Sequence, residues 1–541
     1  MPAIQPDSTI LIFRGMPMDS TYQDTLYFNS KGQQYSWFSS ASNPYFKYRF
    51  EQNTYQRVHS GMFEAPIKAD ELYDCNYMAF KNTSYGSKWF FAFITSVEYR
   101  NNGNSYVNYE IDALQTYLYD GVVMEECFIE REHTVTDEIG ENILPEPVDC
   151  GEYVFDNYSQ LLADPDPEHN VINDLKNYKL AVLVCDTGTG ATVNCKVYDE
   201  CVAGGYITVY NTDANALAAL NQQLAPYAAR PEAIVAMYMV PKLAIGNVTI
   251  PDGGAQLAST YHGQTSGVSK SPLSGSETFG TYTPKNKKLY TYPFNYFHVD
   301  NGNGDSAAFR YEFFRNNTPM FTIQTCILPP VQVKLLPVNY KGQANNNPLN
   351  SEFLTISGYP LCSWNYDSYK AWQAQNAIPT IIKAGVGALG LALAPLTGGA
   401  TLAATIAAGA SMVGNSMSQA YHASMQADVC KGNIAAGNVN FSQESMQYYA
   451  GRCRITEQAA RVIDDYFTQY GYKVNRLGTP SFNNRPHYTY VKTIGCKVKG
   501  FCPSDAATTI CRVFDRGITF WITPSEVGNY TLDNSPVTDG D

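Results

Sequence analysis

Trp89-Phe90-Phe91-Ala92-Phe93-Ile94 and Tyr106-Val107-Asn108-Tyr109-Glu110-Ile111 flank Asn101-Asn102-Gly103-Asn104, and this arrangement decides the fold class. Aromatic and β-branched side chains suit a pleated, half-buried surface, and Asn-Gly accepts the positive φ of a tight turn. The stretch therefore predicts a β-hairpin. Upstream, Thr9-Ile10-Leu11-Ile12-Phe13 is a compact apolar run, and residues 1–130 as a whole read as short strands.

Further along, Lys179 to Cys185 predicts a buried strand, and Val331 to Val338 predicts another with Pro337 at a sheet edge. Thr134 to Asp149 is acidic and reads as a loop, and Ser266 to Lys287, rich in Ser, Gly, Thr and Lys, reads as a loop or linker. Asn301-Gly302-Asn303-Gly304 predicts a tight turn. Two helices stand out: Ala214 to Leu224, and an amphipathic one through Val462, Ile463, Tyr466, Phe467 and Tyr470, with Gly471 placed to end it. The chain closes on strand-like Ile518 to Ile522.

The chain of 541 residues is long enough for several domains, and 44% hydrophobic with 16% charged residues can bury a real core. Its 41 Tyr and 26 Phe favour β-structure over helical bundles. A net charge of -13 argues against reading duplex DNA, which rests on Lys and Arg neutralising phosphate. A negative wall is what a conduit presents if DNA is to slide without sticking. None of the 13 Cys pairs at CxxC spacing, and Cys496, Cys502 and Cys511 have no His at zinc spacing, so free thiols in a reducing compartment are expected. The first residues, Met1 to Asp7, have neither a basic region nor an apolar run, so no secretory route is expected there.

From Ala371 to Ala427 the composition changes abruptly: Lys383 is the one fixed charge. Ile381, Ile382, Val386, Leu389, Leu391 and Leu393 lie before Pro395, Leu396, Gly398 and Gly399; Leu402, Ile406, Met412 and Val413 lie after. Pro395 stops one helix and the Gly pair frees the backbone, so a helical hairpin is expected. Each arm of about 14 residues reaches only ~20 Å, short of the ~30 Å apolar core of a bilayer. Small residues recur four apart at Gly399, Ala403, Ala407 and Ser411, the spacing that lets helices approach closely in lipid. Such a segment can be stored in a soluble particle and released into a membrane, or it can be an ordinary core hairpin. His422, just beyond it, is a weak pH-sensor candidate.

Catalytic signatures do not assemble. Asp186-Thr187-Gly188 has the form of an aspartic-protease half-site, but no second copy exists to share a proton. Asp164-Pro165-Asp166-Pro167-Glu168-His169 reads as an extended acidic loop rather than a metal site. Counted from Asn301, Asn303, Asp305 and Glu312 fall at calcium-loop positions, but the leading Asp is missing and Ser306 replaces the turn glycine. No cofactor, metal or catalytic residue is expected.

Tyr85 to Ile94, Tyr109 to Thr116 and Phe128 to His133 resemble the tail-knob, or distal tail-tube, proteins of φ29-like short-tailed bacteriophages. So do Tyr22 to Phe28, Gln34 to Phe38, Tyr470 to Arg476, Phe514 to Thr519 and Gly528 to Tyr530. The resemblance covers roughly 20–135 and 455–531 and is weak across 140–360. It implies a mainly β, multi-domain, barrel- or sandwich-like chain with a helical apolar insertion, assembling as a hexameric ring or tube. The division expected is a β tube domain at 1–135, β-rich middle domains at 136–376, the apolar insertion at 377–430, and 431–541 completing the tube. The resemblance further implies a virion tail-tip protein, assembled in the host cytoplasm as a homo-hexamer with other tail proteins. Its hydrophobic loops, carried over onto Ala377 to Gly414, plug the tube and then exit to penetrate the host cytoplasmic membrane, and viral DNA passes the lumen without sequence recognition. The rivals are a receptor- or wall-binding tail protein whose Ala/Gly segment is core, and a cell-wall hydrolase.

Overall fold

The computed structural model describes residues 8–53, 61–83, 86–161, 178–186, 194–198, 201–224, 227, 233–245, 248–258, 260–261, 264–269, 278–302, 304–329, 331–342, 353–357, 359, 361–362 and 448–536. The protein is mainly β, as expected, and divides into two compact units. The first gathers three stretches of chain, 1–152, 278–289 and 455–541; the second holds 153–277 and 290–454.

In the first unit the predicted hairpin is formed by Trp89–Asn101 and Asn104–Ile111. Asn101 builds its turn by accepting hydrogen bonds on Oδ1 from the N–H groups of Gly103 and Asn104, each at 2.8 Å. The hairpin belongs to a six-stranded sheet in the order Phe46–Asn53, Ser8–Arg14, Cys75–Asn82, Trp89–Asn101, Asn104–Ile111, Met62–Ala65. Leu11 and Phe13 pack into one core with Tyr77, Phe91 and Phe93, while Ile10 and Ile12 face a second core with Met78 and Ala92. Burial of both faces explains why this strand reads as one apolar run instead of alternating.

The same unit holds a five-stranded sheet, in the order Asp24–Leu26, Ile518–Trp521, Tyr488–Ile494, Cys127–Glu132, Tyr472–Gly478. The helix Glu457–Tyr470 packs with it. Thr456 caps that helix by accepting from Ala459 N–H, and Gly471, at φ +63°, ends it as the sequence predicts. Its buried stripe is Ala460, Ile463, Asp464, Phe467 and Thr468, whereas Val462 is 66% exposed. The inward face is thus turned from the one apolar spacing marks, because a buried carboxylate at Asp464 is satisfied by neighbouring chain. The helix Ser504–Arg516 supplies Ile510, Val513 and Phe514 to the first core.

In the second unit, Tyr178–Val184 is the predicted buried strand, central to a five-stranded sheet beside Tyr206–Tyr210 and Ile234–Pro241. The helix Ala214–Leu224 matches its prediction end to end. Gln332–Pro337 is a strand, but an inner one, between Met320–Cys326 and Leu354–Ile356. Pro337 is tolerated because Leu354–Ile356 pairs only as far as Leu335. The expected linker from Ser266 to Lys287 is also corrected: Gln264–Ser269 is a strand, and residues 278–289 pack as part of the first unit. A further sheet of four strands runs Tyr153–Gln160, Tyr449–Ile455, Asn295–Asp300, Ser306–Phe309.

Candidate functional surfaces

The second unit's sheet that ends on Tyr153–Gln160 has two unlike faces. Along Asn295–Asp300, Asn295, Phe297 and Val299 point into the core, and Tyr296, His298 and Asp300 face the other way, half-buried. His298 lies opposite Gly451 on one neighbour and Ala308 on the other. Gly451 makes room for the edge strand: a Cβ there would stand 2.9 Å from the Cα of Tyr158. Within the edge strand, Asn157 at φ +53° adds a residue to the zigzag, so that Phe155 and Tyr158, three apart, share a face.

The rings of Tyr292, Tyr296, Tyr153, His298, Phe155, Tyr158 and Tyr449 follow one another across this face, with neighbouring centroids 5.1–6.5 Å apart. Tyr153, Phe155 and Tyr158 remain 40%, 48% and 43% exposed, which is unusual for large rings already in contact. Arg310 stacks on Tyr292 at 4.3 Å. The half-burial lowers the His298 pKa, so the imidazole contributes as a neutral ring. Asp156, on the same strand, is held by Arg454 through Nε and Nη2.

The first unit concentrates charge inside instead. Glu146 bridges Arg131 and Lys288, all three buried, and accepts from Lys473 N–H at 2.9 Å. Arg131 donates its other amine to the carbonyl of Gly471 at 2.7 Å. Asp464 accepts from Tyr282 Oη at 2.5 Å, from the N–H groups of Lys285 and Asn286 at 2.7 and 3.0 Å, and from Asn286 Nδ2 at 2.7 Å. Burial raises its pKa and lowers that of Lys288. These groups are consumed by one another, and their work is to hold residues 278–289 on the unit.

In the second unit a cavity of about 220 Å³ is lined by Val182, Val184, Tyr206, Tyr210, Gln223 and Tyr227 among others. Tyr210 Oη donates to Gln223 there at 2.5 Å. Among the described residues, no carboxylate or thiol lines it.

Every residue expected to meet the membrane (Ile381 through Val413) and the turn Pro395, Gly398 and Gly399 lies outside the described residues, as do Asp164 to His169 and His422. The remaining motifs are placed. Asp186 follows the strand Tyr178–Val184, and Thr187 and Gly188 are not among the described residues. Asn301 is a turn residue: its Oδ1 accepts from Asp305 N–H at 3.1 Å and its Nδ2 donates to Thr355 O at 2.8 Å. Glu312 is turned toward Tyr292 N–H. No cluster of metal-ligating side chains occurs among the described residues. The aromatic face itself was missed by sequence reasoning, although three rings within Tyr153-Val154-Phe155-Asp156-Asn157-Tyr158 were there to signal it.

The fold resembles that of the bacteriophage C1 tail knob protein gp12, with a TM-score of 0.62 at 14% identity, covering 97% of this chain and 99% of that one. Residues 6–121 match the model of the caudoviral major tail protein N-terminus. Residues 259–535 match the model of the C-terminal domain of the Bacillus phage phi29 tail knob protein gp9. The chain belongs to this tail knob family. Among curated tail knob proteins, gp9 of Bacillus phage phi29 is 25% identical and gp9 of Bacillus phage PZA 24% identical, each match covering 97% of this chain and 98% of the relative. Tail knob membership makes the chain a component of a phage virion, working among other tail proteins. The match runs through the middle of the chain, where the resemblance read from sequence was weak. No helix among the described residues is long and apolar enough to cross a membrane.

Proposed function

We propose that this tail knob protein is tube wall, plug and membrane-penetrating device in one chain. As a homo-hexamer at the tail tip, assembled in the host cytoplasm with other tail proteins, it forms the distal DNA conduit. Residues 1–135 and 431–541 build the tube, 136–376 form the middle domains, and 377–430 carry the hydrophobic loop. The observation that carries this reading is the segment 371–427, in which Lys383 is the sole fixed charge, against 16% charged residues in the chain as a whole. Within Ala377 to Gly414, Ala and Gly are 18 of 38 residues, so the loop is apolar without being greasy.

Stored in the tube, the loops shelter their apolar surface from water. On release that surface passes to lipid, at about 25 cal/mol per Å² transferred. Each arm is too short to span alone, so a pore needs several copies side by side. DNA then passes a wall that repels phosphate, without being read. A peptide of residues 377–414 should make liposomes leak, and the chain lacking those residues should stay soluble and assemble. Intact liposomes at neutral and acidic pH would remove the membrane step; an insoluble deletion would make the segment ordinary core.

A further inference from the structure

Among the described residues, the sheet that carries the aromatic face ends in two different edges, and the two are complementary. One terminal strand, Tyr153–Gln160, presents Tyr153, Phe155 and Tyr158; the other, Ser306–Phe309, presents on the same face only Ser306 and Ala308, both exposed. We propose that the strand Tyr153–Gln160 of one copy docks edge to edge on Ser306–Phe309 of the next, joining copies head to tail. The inference rests on the assembled ring proposed above and names the contact that builds it.

Direction favours this partner. Asn295–Asp300 runs antiparallel both to Tyr449–Ile455 and to Ser306–Phe309. On the far side, Leu161 N–H bonds Tyr448 O and Thr456 N–H bonds Glu152 O, so Tyr153–Gln160 also runs antiparallel to its neighbour. Strands therefore alternate across the sheet, and a rotated copy continues the alternation when its Tyr153–Gln160 follows Ser306–Phe309. Such a contact is heterologous, and a closed rotation turns it into a ring. Shape agrees: bulky rings overhang small side chains, the pairing that lets an added strand sit flush. A symmetric pairing of Tyr153–Gln160 with itself would instead crowd ring on ring and leave the small edge bare, a liability that sheet proteins cover.

The test uses the full chain with photoreactive benzoylphenylalanine in place of Ala308, mixed with isotope-labelled unaltered chain and illuminated. Crosslinks from position 308 to residues 153–160 of a different copy are expected, and Ala308→Glu should abolish the assembled species seen by sedimentation while leaving the circular dichroism unchanged. Assembled particles whose crosslinks map elsewhere, or an Ala308→Glu chain that still assembles, would overturn this contact and leave the ring standing. A chain that sediments as a monomer at every concentration would overturn the ring itself and the contact with it.

Discussion

His133 Nδ1 accepts a hydrogen bond from the backbone N–H of Tyr490 at 2.8 Å, which leaves Nε2 to donate to Thr468 O at 2.9 Å. Both ring nitrogens are thereby committed in the neutral state, and a second proton on Nδ1 would point at another proton. Burial, aided by the charge of Arg485, lowers this pKa from 6.5 to about 3.

The first prediction follows by linkage. Between pH 6.5 and 3 the unfolded chain binds a proton at His133 that the folded chain refuses, so stability falls as pH drops through that window. Asp112 acts in the opposite sense, since burial raises its carboxyl from 3.8 to about 6 and stability falls as pH rises across that interval. The two offset each other between about pH 4 and 6. His133→Gln, whose amide can serve both partners, should remove one term, and Asp112→Asn the other. Urea midpoints across this range should give the two variants slopes differing by about two protons, or ~2.7 kcal/mol per pH unit. Parallel slopes would refute it.

Glu146→Ala should destabilise the protein by about 3–5 kcal/mol, because it strands the buried charges of Arg131 and Lys288. Glu146→Gln keeps the volume and one acceptor oxygen, enough for Arg131 or Lys288 but not both, and should cost less. Equilibrium denaturation of both variants is the measurement, and equal losses would argue that volume rather than charge matters at this position.

Gly471→Ala is expected to lose roughly 1–3 kcal/mol or more. The residue lies at φ +63° and ψ -152°, a region open essentially to glycine, and a Cβ there would collide with the carbonyl of Glu132. A thermal midpoint within a degree of the parent would contradict this.

Asp464→Ala should loosen residues 278–289 without dismantling either sheet. The segment contains Lys285, Lys287 and Lys288, so limited trypsin digestion should cut there at least several-fold faster than in the parent chain. Unchanged cleavage would mean that the segment is held by something other than the Asp464 carboxylate.

How much of this was legible depends on how local each signal was. The hairpin at Asn101 to Asn104 and the helix Ala214–Leu224 are written within a few residues, and both were read with little error. The helix Glu457–Tyr470 was found but mis-faced: Asp464 reads as polar surface until its partners, some 180 residues earlier, are in place. The strand Tyr153–Gln160 escaped notice because it is exposed along most of its length, and without a buried face it has no hydrophobic alternation to betray it. The expected site could be named only by composition and family resemblance.

The sheet of the first unit has a consequence for how the protein is made. Cys127–Glu132 pairs with Tyr472–Gly478 and Tyr488–Ile494, partners that leave the ribosome more than 300 residues later. At 5–20 residues per second that wait is roughly 20–70 s. Through it the nascent strand has neither neighbour and depends on chaperones or on the hairpin sheet for shelter. Chains that terminate early never receive them and cannot complete this unit, so translation to the far end of the message acts as an entry requirement for the virion.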